Sequence, residues 1–273
     1  AAKLAYKFGA NVFVSDLNKN QKIKIKGINS EFGNHSSKIL ESDFIIKSPG
    51  ISRESKIMKS ILDLSIPIFS ELEFASWFTK SFIIALTGTN GKTTTVELIN
   101  TILKDCGFKT FLGGNIGIPF SDNVIHEIDE NDNLKNNFHI LEVSSFQLED
   151  IKFFKPNISI ILNISPDHLD RYNSFKDYIK TKLNILINQD KDCYAIINDS
   201  NINIHNKNYN SNILKFSISN SQLLINGKEK KIDISNTKLF GTHNYENIAA
   251  ASIVSSLCGI KESSIINSIN KFS

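Results

Sequence analysis

The sequence contains few cysteines, and the three that it has lie far apart. Cys106, Cys193 and Cys258 form no CxxC pair, so the sequence predicts neither a disulfide framework nor a zinc site. We also find no signal-peptide pattern in these residues and no apolar run near the ~18 residues that a membrane-spanning helix requires. We therefore expect a protein of a reducing compartment, the cytoplasm, without a membrane partner.

The sequence also lacks a strong excess of positive or of negative residues. The 273 residues include 31 Lys and Arg against 28 Asp and Glu, which gives a formal charge of +3. This near balance argues against a nucleic-acid partner, because nucleic-acid-binding domains carry a pronounced basic patch. The 41% of hydrophobic and 22% of charged residues are typical of a globular protein, and the length allows one large domain or two ordinary ones.

Segments with strand and helix patterns alternate along the sequence, which predicts an α/β fold with parallel strands. Residues 1–79 are predicted to form a partial Rossmann-like N-terminal domain, with a helix at 57–64 and strands at 12–14, 44–46 and 66–69. A new strand, loop and helix begin at residue 82, so we place a domain boundary between residues 79 and 80.

Residues 80–273 are predicted to form a larger P-loop α/β domain of the ATPase type. Its strands are expected at 82–86, 109–112, 138–143, 158–164 and 194–198, and its helices at 93–106, 175–187 and 244–258. A polar surface loop is expected at 129–137. From residue 213 onward, short strands around the hairpin signal Asn226-Gly227 predict a small antiparallel β appendage.

The chain begins inside a helical pattern that closes at Gly9, and it ends just after another helical pattern, at Phe272-Ser273. No methionine opens it. We therefore expect further sequence on both sides.

The strongest motif is a glycine-rich loop between an apolar strand and an amphipathic helix, made of Gly88, Thr89, Asn90, Gly91, Lys92, Thr93 and Thr94. In this context the backbone N–H groups and the helix N-terminus bind phosphate. Lys92 would then reach the terminal phosphates, and the Thr93 hydroxyl would hold Mg²⁺. The match to G-x-x-x-x-G-K-[ST] is imperfect, because Leu86 stands at the first glycine position. The alternative is a glycine-rich turn with an incidental lysine.

Two further candidates follow predicted buried strands. Glu142 closes one strand, and His168 lies in the loop after the next, beside Asp167, Asp170 and Arg171. The carboxyl ends of parallel strands meet at one edge of a sheet, so Glu142 is expected to face the phosphate loop and to complete a Mg²⁺ site. The alternatives are a satisfied acid at a strand edge and an ordinary surface histidine.

Lys182 falls in the middle of the apolar stripe of its predicted helix, between Ile179 and Leu186. Spacing alone favours a side chain that snorkels to solvent. A buried lysine would instead have a lowered pKa, and its neutral amine could take part in chemistry or react with carbon dioxide to form a carbamate.

Taken together, five motifs resemble the Mur ligase family, and in particular its D-glutamate-adding branch. They cover essentially the whole chain and comprise residues 87–94 (TGTNGKTT), 113–117 (GGNIG), 141–149 (LEVSSFQLE), 163–172 (NISPDHLDRY) and 241–247 (GTHNYEN). The phosphate loop and the His-Asn segment are shared across the family, whereas SSFQLE and GGNIG point more narrowly to that branch.

The resemblance implies roles for individual residues. Lys92 would contact the phosphates of ATP, Thr93 and Glu142 would hold one Mg²⁺, and His168 and a carbamylated Lys182 would hold a second. Asn244 matches an adenine contact. The positions near the muramoyl substrate are Asn115, Ser144 and Arg171, and those near the uridine diphosphate are Asp16, Ser48, Pro49 and Gly50.

The resemblance also implies a function. We expect an ATP-dependent ligase of peptidoglycan synthesis that adds D-glutamate to UDP-N-acetylmuramoyl-L-alanine through an acyl-phosphate, and we expect a monomer. Residues 1–79 would bind the uridine diphosphate and residues 80–273 would bind ATP. An N-terminal strand and glycine-rich loop and a C-terminal amino-acid-binding domain are expected outside these residues, so the chain by itself should be inactive. The alternatives are another Mur or folylpolyglutamate synthase-type ligase, and a P-loop NTP-binding protein without ligase activity.

Overall fold

A computed structural model describes residues 1–20, 25–130, 136–167, 171–199, 209–219, 222–230 and 237–272. The first part of the chain contains two small parallel sheets, each with two strands. One joins β1 (Phe13–Asp16) to β2 (Asn29–Phe32), and the other joins β3 (Ile45–Lys47) to β4 (Ile68–Ser70). The helices are α1 (Ala2–Lys7), α2 (Lys56–Asp63) and α3 (Glu71–Ser76).

The parallel pairing agrees with the prediction for residues 1–79, although the strands are divided between two sheets. Strand β2 and helix α3 were not predicted, because each is short and rich in polar residues. α1 ends as predicted, since Gly9 adopts the left-handed conformation with φ +83°.

The rest of the chain is built on one eight-stranded sheet. In chain order its strands and helices are β5 (Phe82–Thr87), α4 (Lys92–Asp105), β6 (Lys109–Gly114), α5 (Phe120–Glu130), β7 (Asn137–Glu142), β8 (Ile158–Ile161), α6 (Phe175–Leu183), β9 (Tyr194–Asn198), β10 (Asn212–Ser219), β11 (Gln222–Ile225), β12 (Lys228–Lys230), α7 (Thr242–Leu257) and α8 (Glu262–Lys271). The strand order is β12-β11-β10-β9-β8-β5-β7-β6, so β5 lies between β8 and β7. Strands β5 to β10 are all parallel to one another, so their carboxyl ends lie at the same edge of the sheet.

Helices cover both faces of this sheet, as the alternation of buried side chains in β5 requires. Ile84 and Leu86 pack in one cluster with residues of α4, α7 and α8. Ile83 and Ala85 point to the other face and pack with residues of α3, α5 and α6. β5 is therefore buried on both sides, which holds its carboxyl end and the following loop in place.

The predicted antiparallel appendage consists of β10, β11 and β12, which extend the large sheet at one edge. β10 pairs in parallel with β9, and β11 and β12 continue the same sheet in antiparallel fashion. The hairpin turn at Asn226-Gly227 is confirmed, with φ of +48° and +75° at its two central residues.

Three element boundaries differ from the prediction. The polar stretch at 129–137 was predicted as a loop, but α5 extends to Glu130 and β7 begins at Asn137, while residues 131–135 lie outside the described residues. β8 ends at Ile161, because Asn163 turns toward the loop after β5. The helix predicted over 175–187 ends at Leu183 and continues as a short 3-10 turn at Asn184–Leu186.

Candidate functional site

The glycine-rich loop joins the end of β5 to the start of α4, as the motif predicts. α4 begins at Lys92, and Gly91 precedes it with a φ of +78°. A Cβ atom at Gly91 would lie 2.4 Å from Oδ1 of Asn247. Glycine is therefore needed both for the backbone conformation and for the close approach of α7. The free N–H groups at the start of α4 provide an anion-binding site.

Thr93 and Glu142 are brought together as predicted. The Thr93 hydroxyl donates a 2.7 Å hydrogen bond to Oε2 of Glu142, which is the last residue of β7 and is 2% exposed. Asn115 donates from Nδ2 to the other carboxylate oxygen at 3.0 Å. The side chains of Thr93, Asn115 and Glu142 thus come from three separate segments and are joined by hydrogen bonds at the carboxyl edge of the sheet.

Gly114 explains why the GGNIG motif can approach so closely. A Cβ atom at Gly114 would lie 2.4 Å from the carbonyl oxygen of Glu142, and its φ is +99°. The following N–H, of Asn115, donates to that same carbonyl at 2.7 Å. The glycine therefore allows Asn115 to reach Glu142.

The side chain of Lys92 bonds to the backbone of the phosphate loop. Its Nζ donates a 2.8 Å hydrogen bond to the carbonyl oxygen of Thr89. Because this oxygen belongs to a neutral carbonyl, the bond can be exchanged for a stronger, charge-assisted one to a phosphate oxygen.

Lys182 is buried, which contradicts the snorkelling interpretation. Ser174 caps α6 by accepting the N–H of Asp177, and Tyr178 and Lys182 then share the inward face of this helix. Lys182 is 2% exposed, and its Nζ donates to the carbonyl oxygen of Gly88 at 2.9 Å. Nζ also lies 4.8 Å from the centre of the Tyr178 ring.

The burial of Lys182 lowers its pKa from 10.5 to about 7. Loss of solvation is the largest cause, the positive charge of Lys92 adds to it, and Asp167 and Glu142 partly oppose it. The lowered pKa increases the fraction of neutral amine near pH 7.

The loop after β8 lies against the phosphate loop. The N–H of Ser165 donates to the Thr89 hydroxyl at 3.0 Å, and that hydroxyl lies 3.2 Å from the carbonyl oxygen of Ser165. His168, predicted as a metal ligand, lies outside the described residues. In the described part of the chain, no three His, Cys, Asp or Glu side chains are close enough together to hold a metal ion.

Arg171 connects this edge of the sheet to the first part of the chain. Its guanidinium lies 4.5 Å from the centre of the Phe146 ring, and its Nη2 is 3.5 Å from the carbonyl oxygen of Pro49. The predicted uridine-diphosphate loop, Ser48 to Gly50, is thereby next to a predicted muramoyl contact. Ser144 lies two residues before Phe146, and both its N–H and its hydroxyl donate to Oε1 of Gln147.

A buried ion pair flanks the same loop. Nζ of Lys47 lies 3.0 Å from Oδ2 of Asp150, and both side chains are 1% exposed. Arg53 also forms an ion pair with Asp150, on its other oxygen, Oδ1. The two basic residues belong to the first part of the chain, and the carboxylate follows β7. This pair fixes the orientation of the loop relative to the large sheet.

Asp16 lies apart from these contacts. It closes β1, accepts the N–H of Asn18 at 2.8 Å, and lines a cavity of about 200 Å³ between α1, β1 and β2. Asn244 lies in the first turn of α7, where its side chain bonds to the carbonyl oxygen of Phe240 and to Asn247. Of these two asparagines, Asn247 is the one that abuts Gly91.

Sequence reasoning missed several residues of this site. No role was predicted for four residues that contact or position the loops described above, namely Asn163, Asn247, Lys47 and Asp150. Asn163 and Asn247 lie inside the motifs that were recognised, so their polar character next to apolar strands was an available signal. The pairing of Lys47 with Asp150 had no such signal, because 103 residues separate them and only the fold brings them together.

Comparisons with known proteins agree with this geometry. Residues 86–255 match the model of the Mur ligase middle domain. The UDP-N-acetylmuramoylalanine–D-glutamate ligase of Elusimicrobium minutum is 39% identical over 293 aligned residues, covering 100% of this chain and 64% of that protein. The enzyme of the same name from Thermoanaerobacter sp. strain X514 is 40% identical, covering 92% and 58%. The chain therefore spans about three fifths of the length of these relatives.

Solved structures share the fold. The UDP-N-acetylmuramate:L-alanyl-gamma-D-glutamyl-meso-diaminopimelate ligase of Neisseria meningitides superimposes with a TM-score of 0.65 at 16% identity, covering 100% of this chain and 93% of that one. The UDP-N-acetylmuramate–alanine ligase of Thermotoga maritima gives 0.54 at 22% identity, covering 99% and 65%. Among the helices that the structure describes, none has the length and apolar character to cross a membrane.

Proposed function

This chain belongs to the Mur ligase family, because more than half of it matches the family's middle domain, and from that premise we propose that it forms the ATP-binding part of a ligase joining D-glutamate to UDP-N-acetylmuramoyl-L-alanine. The observation that carries the proposal is the meeting of Thr93, Glu142 and Asn115 beside the phosphate loop. The names of the relatives at 39% and 40% identity support the choice of substrates.

The phosphate loop would bind the terminal phosphates of ATP. The N–H groups at the start of α4 would donate to the phosphate oxygens, and Lys92 would add a full positive charge once it leaves the carbonyl of Thr89. In phosphoryl transfer the protein contributes mainly positioning and charge neutralisation, and these groups supply both.

The pair of Thr93 and Glu142 fits one Mg²⁺. Both offer oxygen ligands, which hard cations prefer, and Mg²⁺ is commonly held by one or two carboxylates together with substrate phosphates. When bound, the ion would neutralise charge on the transferred phosphate. Glu142 is buried, so its charge needs a partner, and the amide of Asn115 would keep it oriented.

Lys182 is proposed to carry a carbamate. Its amine nitrogen would form a bond to the carbon of carbon dioxide and release one proton, which converts a nitrogen donor into a carboxylate-like oxygen donor. A pKa of about 7 favours the neutral amine that this reaction needs. The negative carbamate would also offset the nearby charge of Lys92. With His168 it would hold a second Mg²⁺, as the family resemblance implies.

The substrate would lie between the two parts of the chain. Residues 1–79 would hold the uridine diphosphate, with Asp16 and the Ser48–Gly50 loop as contacts, and residues 80–273 would bind ATP, with Asn244 near the adenine. Arg171, Asn115 and Ser144 would hold the muramoyl-alanine arm. The contact of Arg171 with Pro49 supports this placement, because it joins the two predicted binding regions.

In the proposed reaction the free carboxylate of the muramoyl-alanine arm attacks the γ-phosphorus of ATP, and the bond to ADP breaks. The amine of D-glutamate then attacks the acyl-phosphate carbonyl, loses a proton and expels phosphate, which leaves an amide. Lys92 would stabilise the phosphate oxygens, and Arg171 would orient the arm. We place this reaction in the cytoplasm.

The test uses the natural full-length polypeptide that contains these residues. It is incubated with UDP-N-acetylmuramoyl-L-alanine, D-glutamate, ATP and Mg²⁺, and the product is identified by mass spectrometry. We expect an amide adduct with equal amounts of ADP and phosphate, and none when L-glutamate replaces D-glutamate. An adduct formed only with another precursor or amino acid would identify a different ligase of the family. ATP hydrolysis without an adduct would favour a simple NTPase.

A further inference from the structure

The first half of the phosphate loop is fastened to the loop after β8, and Asn163 makes most of the contacts. Oδ1 of Asn163 accepts the N–H of Thr89 at 3.0 Å and the N–H of Asn90 at 2.8 Å. Its Nδ2 donates to the carbonyl oxygen of Asn90 at 2.9 Å. The backbone carbonyl of Asn163 also accepts from Thr89 at 3.0 Å.

These contacts divide the phosphate loop into two halves. The N–H groups of Thr89 and Asn90 already have acceptors within the protein. The N–H groups from Gly91 to Thr94 lie at the start of α4, where a helix leaves its first donors without partners. One half of the loop is thus held by the protein, and the other half is open to the anion.

The side chain at position 163 must both donate and accept. An asparagine amide does this, because its oxygen can accept two hydrogen bonds while its nitrogen donates. An alanine would remove the three side-chain bonds, so the N–H and the carbonyl of Asn90 would lose these partners, while the N–H of Thr89 would keep only its bond to the backbone carbonyl of residue 163. The bonds therefore set the shape of the loop at the residue directly before Gly91.

We propose that Asn163 is a positioning residue that holds the phosphate loop in its anion-binding shape and couples nucleotide binding to the loop that leads to Asp167. This inference rests on the proposed function, since it assumes that the loop binds ATP. The coupling runs through the hydroxyl of Thr89, which contacts Ser165 on the same segment.

The chain offers a matched control at the other end of the same strand. Asn157 precedes β8, and its Oδ1 accepts the N–H of Ile83, at the beginning of β5, at 2.8 Å. Both asparagines flank β8, both accept a backbone N–H through their side chain, and both are half-buried. Asn157 bonds to β5 itself, whereas Asn163 bonds to the phosphate loop that follows β5.

The experiment compares Asn163→Ala and Asn157→Ala in the full-length polypeptide. ADP binding with Mg²⁺ is measured by calorimetry, and KM is measured separately for ATP and for the UDP-linked precursor. For Asn163→Ala we expect ADP to bind about 10- to 100-fold more weakly, because three hydrogen bonds that shape the loop are lost, and we expect KM to rise for ATP but not for the precursor. Asn157→Ala should bind ADP within about twofold of the unaltered protein, even if its melting temperature falls.

Two results would overturn the inference. A folded Asn163→Ala variant that binds ADP as well as the unaltered protein would show that the contacts are dispensable, and an equal loss in both variants would indicate a general effect on the sheet. If Asn163→Ala does not fold, Asn163→Ser decides, since a short hydroxyl cannot bridge to both groups of Asn90, and the same weakening is expected. If the unaltered protein fails to bind ADP, the proposed function itself is wrong.

Discussion

Nζ of Lys182 lies 2.9 Å from the carbonyl oxygen of Gly88, although 94 residues separate them in the sequence. The lysine is on α6 and the glycine is in the phosphate loop, so this bond places a buried amine directly beneath the proposed nucleotide. Burial lowers the pKa of the amine to about 7, against 10.5 for an unperturbed lysine. Between these two pH values the unfolded chain binds more protons than the folded one, so the stability of the fold rises with pH.

The first prediction concerns this pH dependence. Lys182→Met removes the titrating group but keeps a similar chain length. The unaltered protein should gain about 2 kcal/mol of unfolding free energy between about pH 7 and about pH 9 from Lys182, and the variant should lack this gain. Urea unfolding in buffers free of carbon dioxide measures it. Lys180→Met, an exposed position on the same helix, is the control and should keep the full slope. An unchanged slope in Lys182→Met would show that the lysine is not buried as described.

The second prediction addresses the carbamate. Lys182→Ala should lose most of the ligase activity, since it removes the proposed oxygen donor, and added short carboxylates such as acetate or formate should restore part of it. ADP formation in the full-length polypeptide is the measurement. Lys180→Ala should retain activity and show no response to carboxylates. Full activity of Lys182→Ala without any carboxylate would rule out the carbamate.

The third prediction concerns the phosphate loop. Lys92→Ala removes the positive charge at the start of α4 and should reduce ADP formation by at least about a hundredfold, in line with the loss of a charge-stabilising group. The matched control is Lys104→Ala, an exposed lysine in the last turn of the same helix, which should remain active. Near-normal turnover in Lys92→Ala would refute the assignment of the loop.

The fourth prediction tests the Mg²⁺ site. Thr93→Val keeps the shape of the side chain but removes the hydroxyl that bonds to Glu142. The Mg²⁺ concentration for half-maximal activity should rise about 10-fold or more, because one oxygen ligand is lost while the carboxylate remains. Thr101→Val serves as the control, since Thr101 lies on the same helix and its hydroxyl donates to the carbonyl of Glu97. Identical Mg²⁺ curves for the two variants would exclude a role of Thr93 at the metal.

The fifth prediction concerns the buried ion pair beside the Ser48–Gly50 loop. Asp150→Ala leaves the charge of Lys47 buried without its nearest partner and should cost about 3 kcal/mol or more. The double variant Lys47→Met with Asp150→Leu should recover most of this stability, because apolar groups then replace both charges. Chemical denaturation measures the free energy of unfolding.

Activity measurements on the same variants distinguish an effect on the orientation of the Ser48–Gly50 loop from an effect on the stability of the fold. The double variant should still show a raised KM for the UDP-linked precursor, since an apolar contact fixes the loop less specifically than a directional ion pair. Asp190→Ala breaks an exposed pair with Lys155 and should change neither KM nor the unfolding midpoint noticeably. A double variant with an unchanged KM would show that the pair acts only on stability.

Much of the large sheet could be predicted from local patterns. Each parallel strand is short, apolar and followed by a polar loop, so β5, β6, β7 and β9 were located to within one or two residues. The end of β8 could not be predicted, because Leu162 and Ile164 are as apolar as the strand itself. What stops the strand is the bond between Asn163 and Thr89, a contact across 74 residues.

The candidate site likewise contains residues that could be predicted from local sequence and one whose environment could not. Lys92, Thr93 and Glu142 were predicted because glycine spacing and the edge of a parallel sheet impose where such residues must lie. Lys182 was identified as unusual by its position in an apolar stripe, but helical spacing could not decide whether its amine reaches solvent. That depended on the packing of α6 beneath Gly88, which closes off the route to water.

The sequence by itself determined most of the strands of the large sheet, where the phosphate loop turns and which family the chain resembles, because these depend on neighbouring residues and their periodicity. Tertiary structure alone decided that Lys182 is buried, that Asn163 holds the phosphate loop and that Lys47 pairs with Asp150. Each of these depends on residues far apart in the chain, whose distance is fixed only when β5 is packed between its neighbours and the first part of the chain is seated against them.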